Sequence, residues 1–176
     1  GRLPPVKGYH HLIAALARLQ ADGFAPPAPF EVEIAGDGAE RPRLEALIAE
    51  AGLANVRLVG FQAAKPFLAG LHLYLQPSRS EGLCVAAHEA MQAGLPLIAS
   101  KAGEMVYSVR TGETGFSVPP EDVPALAAAL HDALSRPERL ETLGRAARGY
   151  VAATYSAERF DQAGAAILDR VRDLVR

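Results

Sequence analysis

Two glutamates, Glu81 and Glu89, stand with seven residues between them in the stretch SRSEGLCVAAHEAMQAGLPLIAS, residues 78–100. This stretch reads as a turn, a short helix over about 84–92 and a strand over 96–100. Glu81 and Gly82 come just before the helix, where unpaired backbone N–H groups and the positive end of the helix dipole attract an anion. Glu89 falls roughly two turns further on, at about 1.5 Å of rise per residue. The result is an anion seat flanked by two carboxylates that accept hydrogen bonds from hydroxyls. A ligand carrying both phosphates and sugar hydroxyls would use every part of it. A capping Glu81 and a solvated Glu89 fit the same spacing.

Arg2 and Lys7 lie in the opening segment GRLPPVKG. A planar guanidinium fork and a mobile ammonium point charge suit a diphosphate. The plainer alternative is two solvated charges near a terminus. Gly36-Asp37-Gly38 lacks the third glycine of a dinucleotide fingerprint and follows an internal strand, so it reads as a tight turn. Asp37 is equally suited to capping the helix that follows.

Other chemistries lack their residues. There is no phosphate loop ending in Lys-Ser or Lys-Thr and no Gly-x-Ser-x-Gly elbow. The histidines, His10, His11, His72, His88 and His131, lack metal-ligand spacing, and no Asp-x-Asp pair is present. No metal site and no cofactor are expected. His88 is expected to pack or to face solvent. Cys84, at a helix amino end, is expected to have a lowered thiol pKa, but no histidine is placed to make it a nucleophile.

The positioning elements follow from periodicity. A helix follows residue 8, with Leu12, Leu16 and Leu19 on one face. FEVEIAGDG reads as a strand and glycine turn, and a helix over about 40–51 places Leu44, Leu47, Ile48 and Ala51 together before Gly52 ends it. NVRLVGF and LHLYLQPS are strands, with a short helix or turn between them. A helical piece runs from Gly103 to about Val109, and TGETGFSVPP is a turn and strand. From Asp122, a plausible cap, the pattern is helical only. Pro137 begins the next helix and Ser156 caps the last, whose buried face is expected to be Phe160, Ile167, Leu168, Val171 and Leu174.

Strands alternating with helices imply an α/β fold, a doubly wound parallel sheet of Rossmann-like type closed by C-terminal helices. Ligands of such sheets sit at the carboxyl ends of the strands, so topology brings Arg2, Lys7 and Glu81 to one edge. The strand that should precede Arg2 is nearly absent, leaving a central strand missing or reduced to a stub.

Bulk properties are those of a globular domain. The 176 residues suffice for one domain, 49% are hydrophobic and 22% charged, and the net charge is −2. Interspersed charges give no strip for nucleic acid, and no apolar run reaches the roughly 18 to 20 residues of a membrane span. One cysteine precludes an internal disulfide and fits a reducing compartment. Gly1 looks like the middle of a protein, and the chain reads as a piece of a longer one.

Taken together, the segments GRLPPVKG, EIAGDGAERPRLEALIAEAGL, NVRLVGF, PSRSEGLCVAAHEAMQAGLPLIAS and TGETGFSVPP, in this order, resemble the C-terminal half of retaining GT-B glycosyltransferases of family 4, also called glycosyltransferases group 1. The resemblance covers nearly the whole chain. It implies a donor-binding domain over residues 1–176, with the N-terminal acceptor domain absent. Activity would be transfer of a hexose from a nucleoside-diphosphate sugar to a glycan, lipid or small-molecule acceptor.

The resemblance further implies that Arg2 and Lys7 hold the diphosphate. Glu81 would contact the transferred sugar and Glu89 the ribose. The amides of Gly82, Leu83, Cys84 and Val85 would cradle sugar and phosphate, and backbone groups near Val59 and Gly60 would read the base. Catalysis would then rest on Glu81, Arg2 and Lys7 without a metal. A cytoplasmic setting is implied, at the inner face of the membrane through the missing half, in cell-envelope polysaccharide synthesis. The isolated chain would bind donor and transfer little. A nucleotide-sugar-binding module without turnover and a GT-B-like nucleotide-sugar epimerase are the alternatives. Leu83-Cys84 replaces the family's commonest Phe-Gly, and GEMVYSV replaces its glycine-glycine-x-proline-glutamate pattern, which leaves no carry-over to Glu104.

Overall fold

The computed structural model describes residues 3–174, apart from the side chains at 169, 171, 173 and 174. Five strands alternate with helices: α1 Tyr9–Ala21, β1 Val32–Ala35, α2 Arg41–Glu50, β2 Val56–Gly60, α3 Ala64–Ala69, β3 Tyr74–Gln76, α4 Val85–Gln92, β4 Leu97–Ser100, α5 Met105–Ser108 and β5 Gly115–Val118. Three helices complete the chain: α6 Val123–Ser135, α7 Leu140–Thr154 and α8 Ala157–Leu174. Every strand pair is parallel, as the alternation requires.

The sheet is not continuous. Among the described residues, β1 pairs with β2, and separately β3, β4 and β5 pair in that order. The break falls between β1 and β3, in keeping with the expectation that a central strand is missing or reduced to a stub. A cavity of about 660 Å³ occupies the break, lined by residues of both strands.

Two apolar clusters hold the layers together. One joins α1, α2 and α6 to β1, through Leu12, Leu16, Ile34, Leu44, Leu126 and Leu130. The other packs α4 and α7 on β4, through Met91, Leu97, Ala87 and Ala147. Burying side chains of this size contributes about 1.5–3 kcal/mol each, so both clusters outweigh any surface pair. Strand β4 is buried at all four positions, the signature of a parallel strand covered on both faces.

Local chemistry sets the element ends. Asp122 caps α6 by accepting from the Ala125 N–H at 2.8 Å, and Ser156 accepts from the Arg159 N–H at 3.2 Å at the start of α8. Asp37 does not cap α2; its Oδ1 accepts from the Gly38 N–H at 2.8 Å and closes its own turn. Pro137 opens a 3-10 turn, and the α-helix begins three residues later at Leu140.

The expected buried face of α8 is corrected. Phe160, Ile167 and Leu168 are 81%, 63% and 59% exposed, because neither apolar cluster reaches this helix. The expectations for the Val171 and Leu174 side chains lie outside the described residues.

Candidate active site

The carboxyl ends of the strands carry the polar constellation. The segment before α1 is held there by two backbone hydrogen bonds. Leu3 N–H donates to the Asp37 carbonyl at 3.0 Å, beyond β1, and Arg79 N–H donates to the Val6 carbonyl at 2.8 Å, beyond β3. A 3-10 turn over Pro5–Lys7 ends at Gly8, whose φ of +69° is left-handed. A Cβ there would lie 2.0 Å from the Pro77 carbonyl oxygen. Glycine is thus required for this turn to lie against the end of β3, and that approach delivers Lys7 to Glu81.

Lys7 Nζ donates to Glu81 Oε1 at 2.8 Å. Ser78 Oγ donates to the same oxygen at 2.5 Å and Gln76 Nε2 at 2.7 Å. Gln76 Nε2 also donates to Ser78 Oγ at 2.7 Å, and Tyr74 OH donates to Gln76 Oε1 at 3.0 Å. Gln76 and Ser78 are buried, so this network is shielded and each bond in it is strengthened by the low local dielectric. Burial by itself raises the Glu81 carboxyl. The bonds from Lys7, Ser78 and Gln76, with the charge of Lys7, outweigh it and hold the group below its ordinary value of 4.5. Glu81 is a fixed, ionised carboxylate.

Glu81 stands at the mouth of α4. That helix begins after Cys84, and no side chain caps its first N–H groups. Leu83 and Val85 are 51% and 58% exposed, and Gly82 is open to solvent. Glu104 N–H donates to the Gly82 carbonyl at 3.0 Å and packs the next loop against this one. At Gly103, φ +55°, a Cβ would lie 2.3 Å from the carbonyl oxygens of both Glu81 and Gly82. The turn is therefore clamped from two sides by glycine contacts.

Cys84 corrects the expectation for its thiol. Burial pushes it up to about 11, and the charge of Glu81 adds to the rise. Its backbone, at φ +54°, is left-handed, a conformation that costs a side-chain-bearing residue roughly 1–2 kcal/mol. His88 does more than pack. Nε2 lies 2.9 Å from Ser108 Oγ and Nδ1 lies 3.2 Å from the Cys84 carbonyl oxygen, while the ring meets Tyr155 edge-on at 4.7 Å. Glu104 accepts from Tyr155 OH at 3.1 Å.

The remaining predicted residues are placed as follows. Glu89 is exposed on α4, where it lines the cavity between the half-sheets beside Tyr74. Val59 and Gly60 close β2. The Val59 carbonyl accepts from Gln62 Nε2 at 2.8 Å and the Gly60 carbonyl from Gly36 N–H at 2.7 Å, which leaves each a second lone pair. Arg2 lies outside the described residues. Lys7, Glu81 and the 82–85 turn come together; Glu89 lies on the adjoining helix, and Val59 and Gly60 end the other half-sheet. Sequence reasoning missed Gln76 and Ser78. Their signal was a polar residue at the end of an otherwise apolar strand, LYLQPS.

A Rossmann-like half-molecule with this polar edge is the C-terminal half of a GT-B fold. The chain belongs to the family Glycosyl transferases group 1, whose model matches residues 1–150. It is 35% identical over 160 residues to an alpha-D-kanosaminyltransferase of Streptomyces kanamyceticus, covering 89% of this chain and 40% of that one. It is 37% identical over 155 residues to a glycogen synthase of Mycobacterium tuberculosis, covering 84% and 36%. Among solved structures, Anabaena HepE in complex with UDP superposes with a TM-score of 0.82 at 28% identity, over 97% of this chain and 47% of that one. The chain thus spans about two fifths of the length of the curated relatives it matches. Among the described residues, no helix is long and apolar enough to cross a membrane.

Proposed function

We propose that residues 1–176 form the donor-binding domain of a retaining glycosyltransferase. It takes a nucleoside-diphosphate hexose, and an acceptor domain outside this sequence presents a glycan, lipid or small molecule. The observation that carries the reading is the ion pair of Lys7 with Glu81 beside the uncapped start of α4. A transferring sugar develops positive charge at its anomeric carbon while its diphosphate departs with negative charge. An ionised Glu81 answers the first. Lys7, with two further N–H donors, and the amides over 82–85 answer the second.

In this reading Arg2 joins Lys7 on the diphosphate, and both act on the leaving group in place of a metal. Glu89 accepts from the ribose hydroxyls, while Val59 and Gly60 face the base. HepE, solved with UDP, supports a nucleoside diphosphate as the ligand class. The enzyme then works without a resident cofactor, on the cytoplasmic side of the membrane.

The test is Glu81→Gln in a full-length protein containing this domain. The turnover number is expected to fall by at least about a hundredfold, the scale of losing one electrostatic contact to the transition state. Donor affinity is expected to change far less. Equal losses in turnover and affinity would mean that Glu81 serves the fold alone.

A further inference from the structure

We infer that His88 is a positioning residue for the donor site: its ring fixes the Cys84 carbonyl and thereby aims the Val85 N–H at the diphosphate. The inference rests on the donor reading and names a further residue that serves the same site.

The peptide joining Cys84 to Val85 is where α4 begins. A trans peptide is planar, with its C=O and N–H pointing in opposite directions. The Cys84 carbonyl points along the helix, where it accepts from the Ala87 N–H at 3.0 Å and the His88 N–H at 3.3 Å. The Val85 N–H therefore points out of the helix start, among the donors that no side chain caps. Whatever fixes the carbonyl fixes this donor.

The helix start does not hold itself. Cys84 has φ +54° and ψ +61°, a left-handed conformation that a residue with a side chain keeps only where its surroundings impose it. One of the two backbone bonds to its carbonyl, at 3.3 Å, is longer than a good N–H···O contact. The His88 ring supplies a third donor, with Nδ1 at 3.2 Å from the same oxygen. A carbonyl oxygen can only accept, so Nδ1 carries the proton. In the neutral ring, Nε2 then accepts from the Ser108 hydroxyl at 2.9 Å.

The far end of this strut is rigid. Ser108 is fully buried. Its N–H donates to the Glu104 carbonyl at 3.2 Å, and its own carbonyl accepts from Thr114 Oγ1 at 2.8 Å. Tyr155 closes another side of the ring, edge-on at 4.7 Å. Turning the imidazole over would put carbon where each nitrogen stands and break both hydrogen bonds. His88 thus ties the first peptide of α4 to a fixed hydroxyl, and it acts on the ligand only through that peptide.

The 176-residue chain would be compared with His88→Asn, His88→Gln and His88→Leu. Asn keeps a donor at the place of Nδ1, Gln carries one only further out, and Leu fills space without donating. Imidazole nitrogen spectra, amide exchange and calorimetric titration with UDP, GDP and ADP would be measured. The unaltered chain is expected to show its proton on Nδ1. Exchange at Ala87, measured relative to Leu130 in α6, is expected to quicken about fivefold in His88→Leu and His88→Gln, the size of one hydrogen bond. Affinity for the nucleotide that binds is expected to fall about fivefold in the same two variants. His88→Asn is expected to restore both to within about twofold, which a merely space-filling role would not do. Should His88→Leu fail to fold, His88→Gln carries the same comparison. A bare Nδ1 would overturn the inference, as would His88→Asn behaving like the other variants. The two readings fail separately. Absence of binding by all three nucleotides to the unaltered chain overturns the donor site, whereas unchanged Ala87 exchange and unchanged affinity in the variants overturn the role of His88.

Discussion

Glu81 draws its chemistry from four residues that no spacing rule groups with it. Lys7, Gln76 and Ser78 converge on one oxygen, and Tyr74 orients Gln76 from behind. The depressed carboxyl makes a signed prediction. Stability contributed by ionised Glu81 is fully present above its unfolded-state value, near the ordinary 4.5, and is lost as pH falls through the depressed folded value. Glu81→Gln lacks this dependence. Denaturant unfolding from pH 7 down to 3 is expected to show a constant stability difference between the two proteins above about pH 6, narrowing as pH falls from there through 4.5. A difference that narrows already between pH 7 and 6 would assign the titration to another group. Lys7 and Glu81 were legible in the sequence as members of one sheet edge. Gln76 and Ser78 were not, because the convergence of three donors on one atom depends on how the chain folds back at Pro77.

At the scale of elements, the site depends on two turns that each approach the 77–82 segment without a side chain between. Gly8 sets the Lys7 turn on the Pro77 carbonyl, and Gly103 sets the next loop on Glu81 and Gly82. Gly8→Ala is expected to destabilise by more than about 2 kcal/mol, combining a left-handed backbone with a Cβ at 2.0 Å from an oxygen. Gly149→Ala is the matched control. It lies in α7 with open space at its Cβ, and is expected to stabilise by about 0.5–1 kcal/mol. Thermal melts of both variants check the pair, and similar small effects at both sites would refute the close approach. The strand and helix sequence was legible from periodicity, with ends shifted by a few residues at most. What periodicity hides is pairing. β1 and β3 each read as an ordinary buried strand, and the period of neither says which strand lies beside it.

On the scale of the whole molecule, the chain has the fold of the C-terminal half of a GT-B glycosyltransferase and spans about two fifths of the length of its curated relatives. α8 stands apart from the rest of the fold. Its apolar residues read as a buried face, yet Phe160, Ile167 and Leu168 are exposed, and the family match ends at residue 150, before this helix begins. A hydrophobic stripe at helical spacing predicts an amphipathic helix; it does not say whether the 176 residues supply a surface that covers it. The parallel α/β class, by contrast, was legible throughout, because strands buried on both faces and alternating with helices leave few other topologies. The central claim is that the carboxyl edge seats a nucleoside diphosphate on Lys7. Calorimetric titration of the 176-residue chain with UDP, GDP and ADP tests it most directly. At least one is expected to bind, and Lys7→Ala is expected to weaken that binding by about tenfold or more, the loss of one charge-assisted contact. Absence of binding by all three at millimolar concentration to a folded sample, or unchanged affinity in Lys7→Ala, would contradict the claim.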